Sequence, residues 1–131
     1  MIIIDFSGAK LLPDTPEGKP HRTYTLICSP FYTAPEALMG RGYTKKADFW
    51  QIGVGMYKML TGKFPFGDTK QSPQEIYEDI ITKPLIIPSY FGDDTKDLLH
   101  KLLSRTPEVR LGESFAKLKH HPWFDGLDWV G

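Results

Sequence analysis

Apolar residues crowd most densely into residues 47–62, where Phe49, Trp50, Ile52, Val54, Met56, Tyr57, Met59 and Leu60 point around most of a helical wheel. A helix that is apolar all round belongs inside protein or lipid. This run is short for a bilayer and is interrupted by Asp48, Gln51 and Lys58, which leaves a central core helix over residues 48–61. Gly62 suits the left-handed position past its end, and Pro65 follows as a stop. Gly53 and Gly55 cost helix stability and imply close approach of another backbone. Asp48 lies in the first turn, where the helix dipole favours an anion. Local pattern leaves two readings of it: an exposed first-turn residue, or a buried carboxylate that receives N–H groups from a neighbouring loop.

The rest of the chain is punctuated around this helix. Residues 1–6 form an apolar, β-branched run that predicts a short buried strand broken at Ser7-Gly8. Such a strand without paired edges predicts marginal stability and aggregation for the isolated chain. Pro13, Pro16, Gly18 and Pro20 make residues 10–24 a loop. Residues 26–36 stay irregular through Ser29-Pro30 and Ala34-Pro35, and Pro35 opens a short helix. Residues 62–71 are a loop. Ser72 then caps a helix running to about Thr82, with Pro73 in its first turn and Glu75 three residues after the cap. Ile76, Tyr77, Ile80 and Ile81 form its apolar face. Residues 84–88 are extended. Asp93-Asp94 cap the next helix, which carries Leu98, Leu99, Leu102 and Leu103 at core spacing and is stopped by Thr106-Pro107. Residues 114–120 form a last short helix closed by Pro122, and Trp123, Phe124 and Trp129 are aromatic anchors. The expected class is mainly α with one short N-terminal strand.

Composition narrows the function classes. The chain of 131 residues suffices for one domain, and 40% apolar with 13% aromatic residues marks it as globular. Sixteen basic and sixteen acidic residues cancel, so no electrostatic footprint for nucleic acid or an anionic membrane is expected. Cys28 is the only cysteine, so no intrachain disulfide can form and a cytoplasmic setting is expected. Met1 leads into Ile2-Ile3-Ile4 with no charged segment and no cleavage site, unlike a signal peptide. His120 and His121 are adjacent and cannot share one helical face, so a zinc site is not expected.

Motifs in register along the whole chain carry a resemblance. Asp5-Phe6-Ser7-Gly8 ends the strand; Thr25-Leu-Ile-Cys-Ser-Pro-Phe-Tyr-Thr-Ala-Pro-Glu36 follows; then come Gly42-Tyr43 and Asp48-Phe-Trp-Gln-Ile-Gly53. Phe64-Pro65-Phe66, Asp97-Leu98-Leu99, Arg110-Leu111-Gly112, His121-Pro122-Trp123-Phe124 and Asp128-Trp129 continue it. This order resembles the second half of a eukaryotic serine/threonine protein kinase domain of the AGC group, most like its cyclic-nucleotide-dependent branch. The resemblance implies a helical C-lobe with one short strand, an incomplete α+β kinase domain across residues 1–131, and an activation segment over residues 5–36. It implies ATP and Mg²⁺ as cofactors, with Asp5 as a metal ligand on a rigid strand end. Thr25 corresponds to the activation-loop phosphorylation site and Lys10 to a residue that contacts that phosphate. Ser29 and Pro30 match the segment that receives the protein substrate, and Leu26, Pro30 and Thr33 would line its pocket. Glu36 and Arg110 resemble a buried structural ion pair. Asp48 resembles the helix aspartate that holds the catalytic-loop backbone, which favours the buried reading. An upstream activating kinase or a cyclic-nucleotide regulatory domain would be the further partners.

The sequence also departs from the pattern. Ser7 replaces the motif glycine and Cys28 stands where the family usually has glycine. The loop over residues 10–25 is longer than in the close relatives. Phe31 and Lys58 occupy positions that commonly carry glutamates, and a lysine at the second would repel a substrate arginine. Residues 1–131 contain no Gly-rich loop, ATP-binding lysine or His-Arg-Asp loop, so these residues alone are not expected to transfer phosphate. A non-catalytic interaction module, docking through its helices or the Ile2-Ile3-Ile4 edge, is the rival reading. A third, a chain cut from a longer gene product, best explains the abrupt start.

Overall fold

The computed structural model describes residues 29–41, 44–110 and 115–127. The predicted strand over residues 1–6 lies outside them, as do Asp5, Lys10, Thr25 and Leu26. The described residues form helices and turns with no strand: α1 (Pro35–Leu38), α2 (Lys46–Thr61), α3 (Pro73–Thr82), α4 (Asp93–Leu102) and α5 (Phe115–Lys119). Short 3₁₀ turns at Pro30–Tyr32, Pro107–Val109 and Pro122–Phe124 each begin on proline, whose fixed φ suits a first helical position.

The core gathers on α2. Trp50 and Val54 from α2, Ile80 from α3, and Leu98 and Leu99 from α4 are completely buried, and each such side chain contributes roughly 1.5–3 kcal/mol by leaving water. Gly53 is what lets α2 approach the end of α4. A Cβ there would sit 2.9 Å from both Leu102 Cβ and Leu103 Cδ2. Among the described residues, the close approach predicted at the two glycines is therefore made at Gly53 only, and by side chains rather than backbone; Gly55 has no described atom within 4 Å of such a Cβ.

Helix α2 departs from the expectation of burial all round. Asp48 is exposed, Ile52 is 41% exposed and Met59 is 83% exposed. With Gly55, these positions follow the i, i+4, i+7, i+11 spacing of one helical face. The helix also starts before residue 48, because Thr44 Oγ1 accepts the Lys46 N–H at 3.2 Å and satisfies a donor the first turn would leave free. Its end follows the pattern: Gly62 is left-handed at φ 76° and its N–H donates to Lys58 O at 2.8 Å.

Ser72 caps α3, its Oγ accepting the Glu75 N–H at 3.3 Å. In α4 the cap is Gly92, not Asp93-Asp94; the two acids occupy the first turn, where they still favour the helix dipole. On α3, Ile76 and Ile80 are buried while Ile81 is 38% exposed. Two long side chains pin the segments between helices. Tyr57 Oη donates to Ile86 O at 2.7 Å, holding the extended stretch after α3 against α2. Arg105 lies over the Phe66 ring, donates to Ile80 O at 2.7 Å and donates also to Lys83 O.

Candidate functional site

Arg110 is the most heavily bonded side chain among the described residues, and it is 1% exposed. Its Nη1 and Nη2 donate to Glu36 Oε2 and Oε1 at 2.8 and 2.9 Å, the two-pronged geometry that a guanidinium and a carboxylate share. Nη1 also donates to Lys46 O at 2.9 Å and Nε to Ser104 O at 3.0 Å. The guanidinium lies 5.2 Å from the centre of the Trp50 ring. One side chain thus ties the start of α1, the start of α2 and the turn after α4. Glu36 is 4% exposed, so both charges depend on this geometry to offset their lost hydration. Trp50 Nε1 lies buried beside them with no acceptor among the described residues.

The Arg110 anchor fixes the end of residues 29–36. Pro30–Tyr32 turns tightly, with Tyr32 N–H donating to Ser29 O at 3.0 Å and Thr33 Oγ1 to the same carbonyl at 3.2 Å. Ser29 is exposed and Pro30 partly so, whereas Thr33 is 2% exposed. Thr33 therefore shapes the turn from beneath and does not reach its outer surface. Phe31 stacks on Phe64 at 4.0 Å between ring centres, and Tyr32 meets the same ring edge-on at 5.6 Å. Lys58 Nζ lies 4.5 Å from the centre of that ring and donates to Gly62 O at 3.0 Å.

Asp48 stands apart from this cluster, exposed on α2, and its carboxylate meets no donor from another side chain among the described residues. Protein around its base still pushes its carboxyl above the ordinary range by partial burial. Such a carboxylate gains from donors brought by another segment. No group of three or more His, Cys, Asp or Glu side chains among the described residues could hold a metal ion.

Comparison with known proteins decides what scaffold this is. A family model described as "protein kinase domain" matches residues 1–124. The chain belongs to the protein kinase family. Serine/threonine-protein kinase gad8 of Schizosaccharomyces pombe is 42% identical over 98% of this chain and 23% of that protein. The cGMP-dependent protein kinase of Toxoplasma gondii is 41% identical over 97% of this chain and 12% of that protein. The cAMP-dependent protein kinase type 3 of Saccharomyces cerevisiae is 38% identical over 97% of this chain and 30% of that protein. The chain therefore spans less than a third of the length of these relatives, and it matches kinases of AGC type.

Sequence reasoning about this kinase segment missed two features. The Ser104 and Lys46 carbonyls that complete the Arg110 anchor carry no sequence signal, since every residue offers a carbonyl. His121, read as an ordinary helix end, is 5% exposed and meets Asp97 Oδ2 at 2.6 Å. Its Nδ1 accepts the Trp123 N–H at 3.1 Å, which leaves Nε2 to carry the proton toward Asp97. Lys101 Nζ reaches the same oxygen at 2.9 Å. Hydrogen bonds from Lys101, then from His121, hold the Asp97 carboxyl below its ordinary value.

Proposed function

We propose that the protein carrying this chain is a serine/threonine protein kinase of AGC type, transferring the ATP γ-phosphoryl group to a protein hydroxyl. In this reading residues 5–36 form the activation segment. Asp5 holds Mg²⁺, Thr25 is phosphorylated by an upstream kinase, and Lys10 contacts that phosphate. Leu26, Ser29 and Pro30 receive the protein substrate, on a turn that Thr33 shapes from beneath. Asp48 holds the backbone of a catalytic loop. A cytoplasmic location and regulation by a cyclic-nucleotide domain belong to the same reading.

The observation that carries it is the buried Glu36–Arg110 anchor, which fixes residues 29–36 to α2 and to the turn after α4. A segment that must present a substrate hydroxyl reproducibly gains from a rigid base. The exposed face of α2 at Asp48, Ile52 and Met59 supports contact with a further part of the same domain. No helix among the described residues is long and apolar enough to cross a membrane.

The decisive experiment uses the full-length protein, purified and supplied with Mg²⁺ and labelled ATP. Phosphate transfer to a serine peptide, lost in Asp5→Asn and lowered in Thr25→Ala, is the expected result. A folded protein that transfers nothing under these conditions refutes the kinase reading. Ser7, standing in place of the motif glycine, favours one second reading: a kinase-like module that binds partners without catalysis.

A further inference from the structure

A cavity of about 440 Å³ opens between the end of α1 and the turn after α4. Glu36, Met39 and Arg41 line it from the α1 side, and Arg105, Pro107 and Glu108 from the other. Its size falls within the roughly 300–1,000 Å³ of small-ligand sites. Arg105 is the group there whose chemistry is incomplete. Its Nε donates to Ile80 O at 2.7 Å, Nη2 donates to Lys83 O, and the guanidinium lies 4.9 Å from the centre of the Phe66 ring. A guanidinium has five N–H donors, so the pair on Nη1 has no protein acceptor among the described residues. No carboxylate among those residues pairs with Arg105 either. Burial without a compensating acid holds its pKa below the ordinary guanidinium value. Arg110 shows the contrast, since Glu36 meets that guanidinium with both carboxylate oxygens. Arg105 is thus a partly buried cation, held in place by two carbonyls and a ring, with its charge unmatched. Little ordering of it remains to be done on binding an anion.

A second guanidinium comes from the α1 side. Arg41 N–H donates to Glu36 O at 3.2 Å, so the backbone of Arg41 is closed back onto the anchored Glu36. The charged residues on the lining are Arg41, Arg105, Glu36 and Glu108. Glu36 is bound to Arg110, and Glu108 is exposed. One guanidinium suffices for a carboxylate, as Arg110 does for Glu36. Two suit a phosphate monoester, which brings three acceptor oxygens and roughly two negative charges. A phosphate alone fills only part of the space, and Met39 and Pro107 offer apolar wall to whatever carries it. We propose that this cavity binds a phosphorylated side chain of a peptide segment, its phosphate on Arg105 and Arg41 and an adjoining apolar residue against Met39 and Pro107. The proposal goes beyond the phosphate-transfer reading and does not depend on it, because a protein that transfers nothing would still bind this group.

The test uses the full-length protein, with a non-hydrolysable ATP analogue and Mg²⁺ present to occupy any nucleotide site. Three fluorescent peptides differ only at one position flanked by leucines: phosphoserine, glutamate or serine. Anisotropy at low salt gives Kd, with inorganic phosphate as competitor. The phosphoserine peptide binds roughly tenfold more tightly than the serine peptide, and the glutamate peptide lies between. Arg105→Gln weakens phosphoserine binding roughly tenfold, the loss of charge-assisted bonds to one guanidinium. Arg41→Gln changes an exposed side chain and leaves the bonds to Ile80 O and Lys83 O intact, and it also weakens binding. Glu108→Gln tightens binding about twofold by removing a like charge from the lining, a gain that misfolding cannot produce. Thermal unfolding of each variant checks the fold. No measurable binding of the phosphoserine peptide, equal binding of the serine peptide, or a Kd that neither arginine variant raises overturns the proposal. Displacement by inorganic phosphate at a concentration near the peptide Kd also overturns it, because the site then belongs to the free ion.

Discussion

Removing either partner of the Glu36–Arg110 pair should destabilise the domain, and the two removals should not cost the same. Glu36→Gln keeps the volume but puts an amide N–H₂ against a guanidinium. Arg110 would retain its bonds to Ser104 O and Lys46 O and its place by Trp50, so the cost should fall at about 3 kcal/mol, the low end for a broken buried pair. Arg110→Met removes four hydrogen bonds at once. It strands a carboxylate that is 4% exposed together with two backbone carbonyls, and the cost should approach about 5 kcal/mol. The double variant Glu36→Gln with Arg110→Met strands no charge. It should be no less stable than Arg110→Met alone, giving a coupling energy of about 3 kcal/mol, far outside the additivity seen for distant sites. Urea unfolding of the wild type and the three variants, followed by circular dichroism, measures all of these. Additive costs in the double variant, or a Glu36→Gln cost under about 1 kcal/mol, would refute the view that buried, mutually dependent charges hold residues 29–36 in place.

Two neighbouring glycines should respond oppositely to the same change. Gly53→Ala gains about 1 kcal/mol of helix propensity but drives a methyl to 2.9 Å from Leu102 Cβ, which sits on the α4 backbone and cannot swing away. Overpacking of about 1–3 kcal/mol then lowers Tm, whereas Gly55→Ala, with open space around it among the described residues, raises Tm. A third expectation concerns acid. The Asp97 carboxyl is held below its ordinary value by the hydrogen bond from Lys101 first and His121 second. Its contribution is present above that ordinary value and lost as pH falls through the lower folded value, so stability declines below about pH 4. Asp97 is half exposed, so the loss is under about 1 kcal/mol; Asp97→Asn should flatten the pH–Tm curve in that window, and an unchanged curve would count against the network.

How much of this was visible in the residues varies by element, for physical reasons. Helix α3 was legible because its start is local chemistry: Ser72, Pro73 and Glu75 lie within one turn, and the cap forms between them. Residue type alone points to Asp93-Asp94 for the α4 cap, while Gly92 takes it with backbone angles that any residue can adopt. Apolar type around the wheel overstates the burial of α2, because Ile52, Met59 and Leu60 reach the surface. Pattern cannot distinguish an apolar face that packs within these residues from one that faces another segment. The Glu36–Arg110 pair was legible only through resemblance, since nothing local links two charges 74 positions apart.

A further group of misses shares one cause. Tyr57 to Ile86 O, Arg105 to Ile80 O and Arg110 to Ser104 O and Lys46 O are all bonds from a long side chain to a backbone carbonyl. The donor can be nominated from sequence, because a buried Tyr or Arg must find an acceptor. The acceptor cannot, because a carbonyl is the one group every residue has. These bonds nevertheless set where the loops lie: Ile86 O holds the stretch after α3, and Lys46 O binds the start of α2 to the Glu36 anchor. A substitution at residues 46, 86 or 104 that keeps the backbone in place should therefore be tolerated, while one at Tyr57, Arg105 or Arg110 is felt at a loop distant in sequence. The identity of this scaffold is written mostly in its donors, and its geometry in acceptors that leave no trace in the sequence.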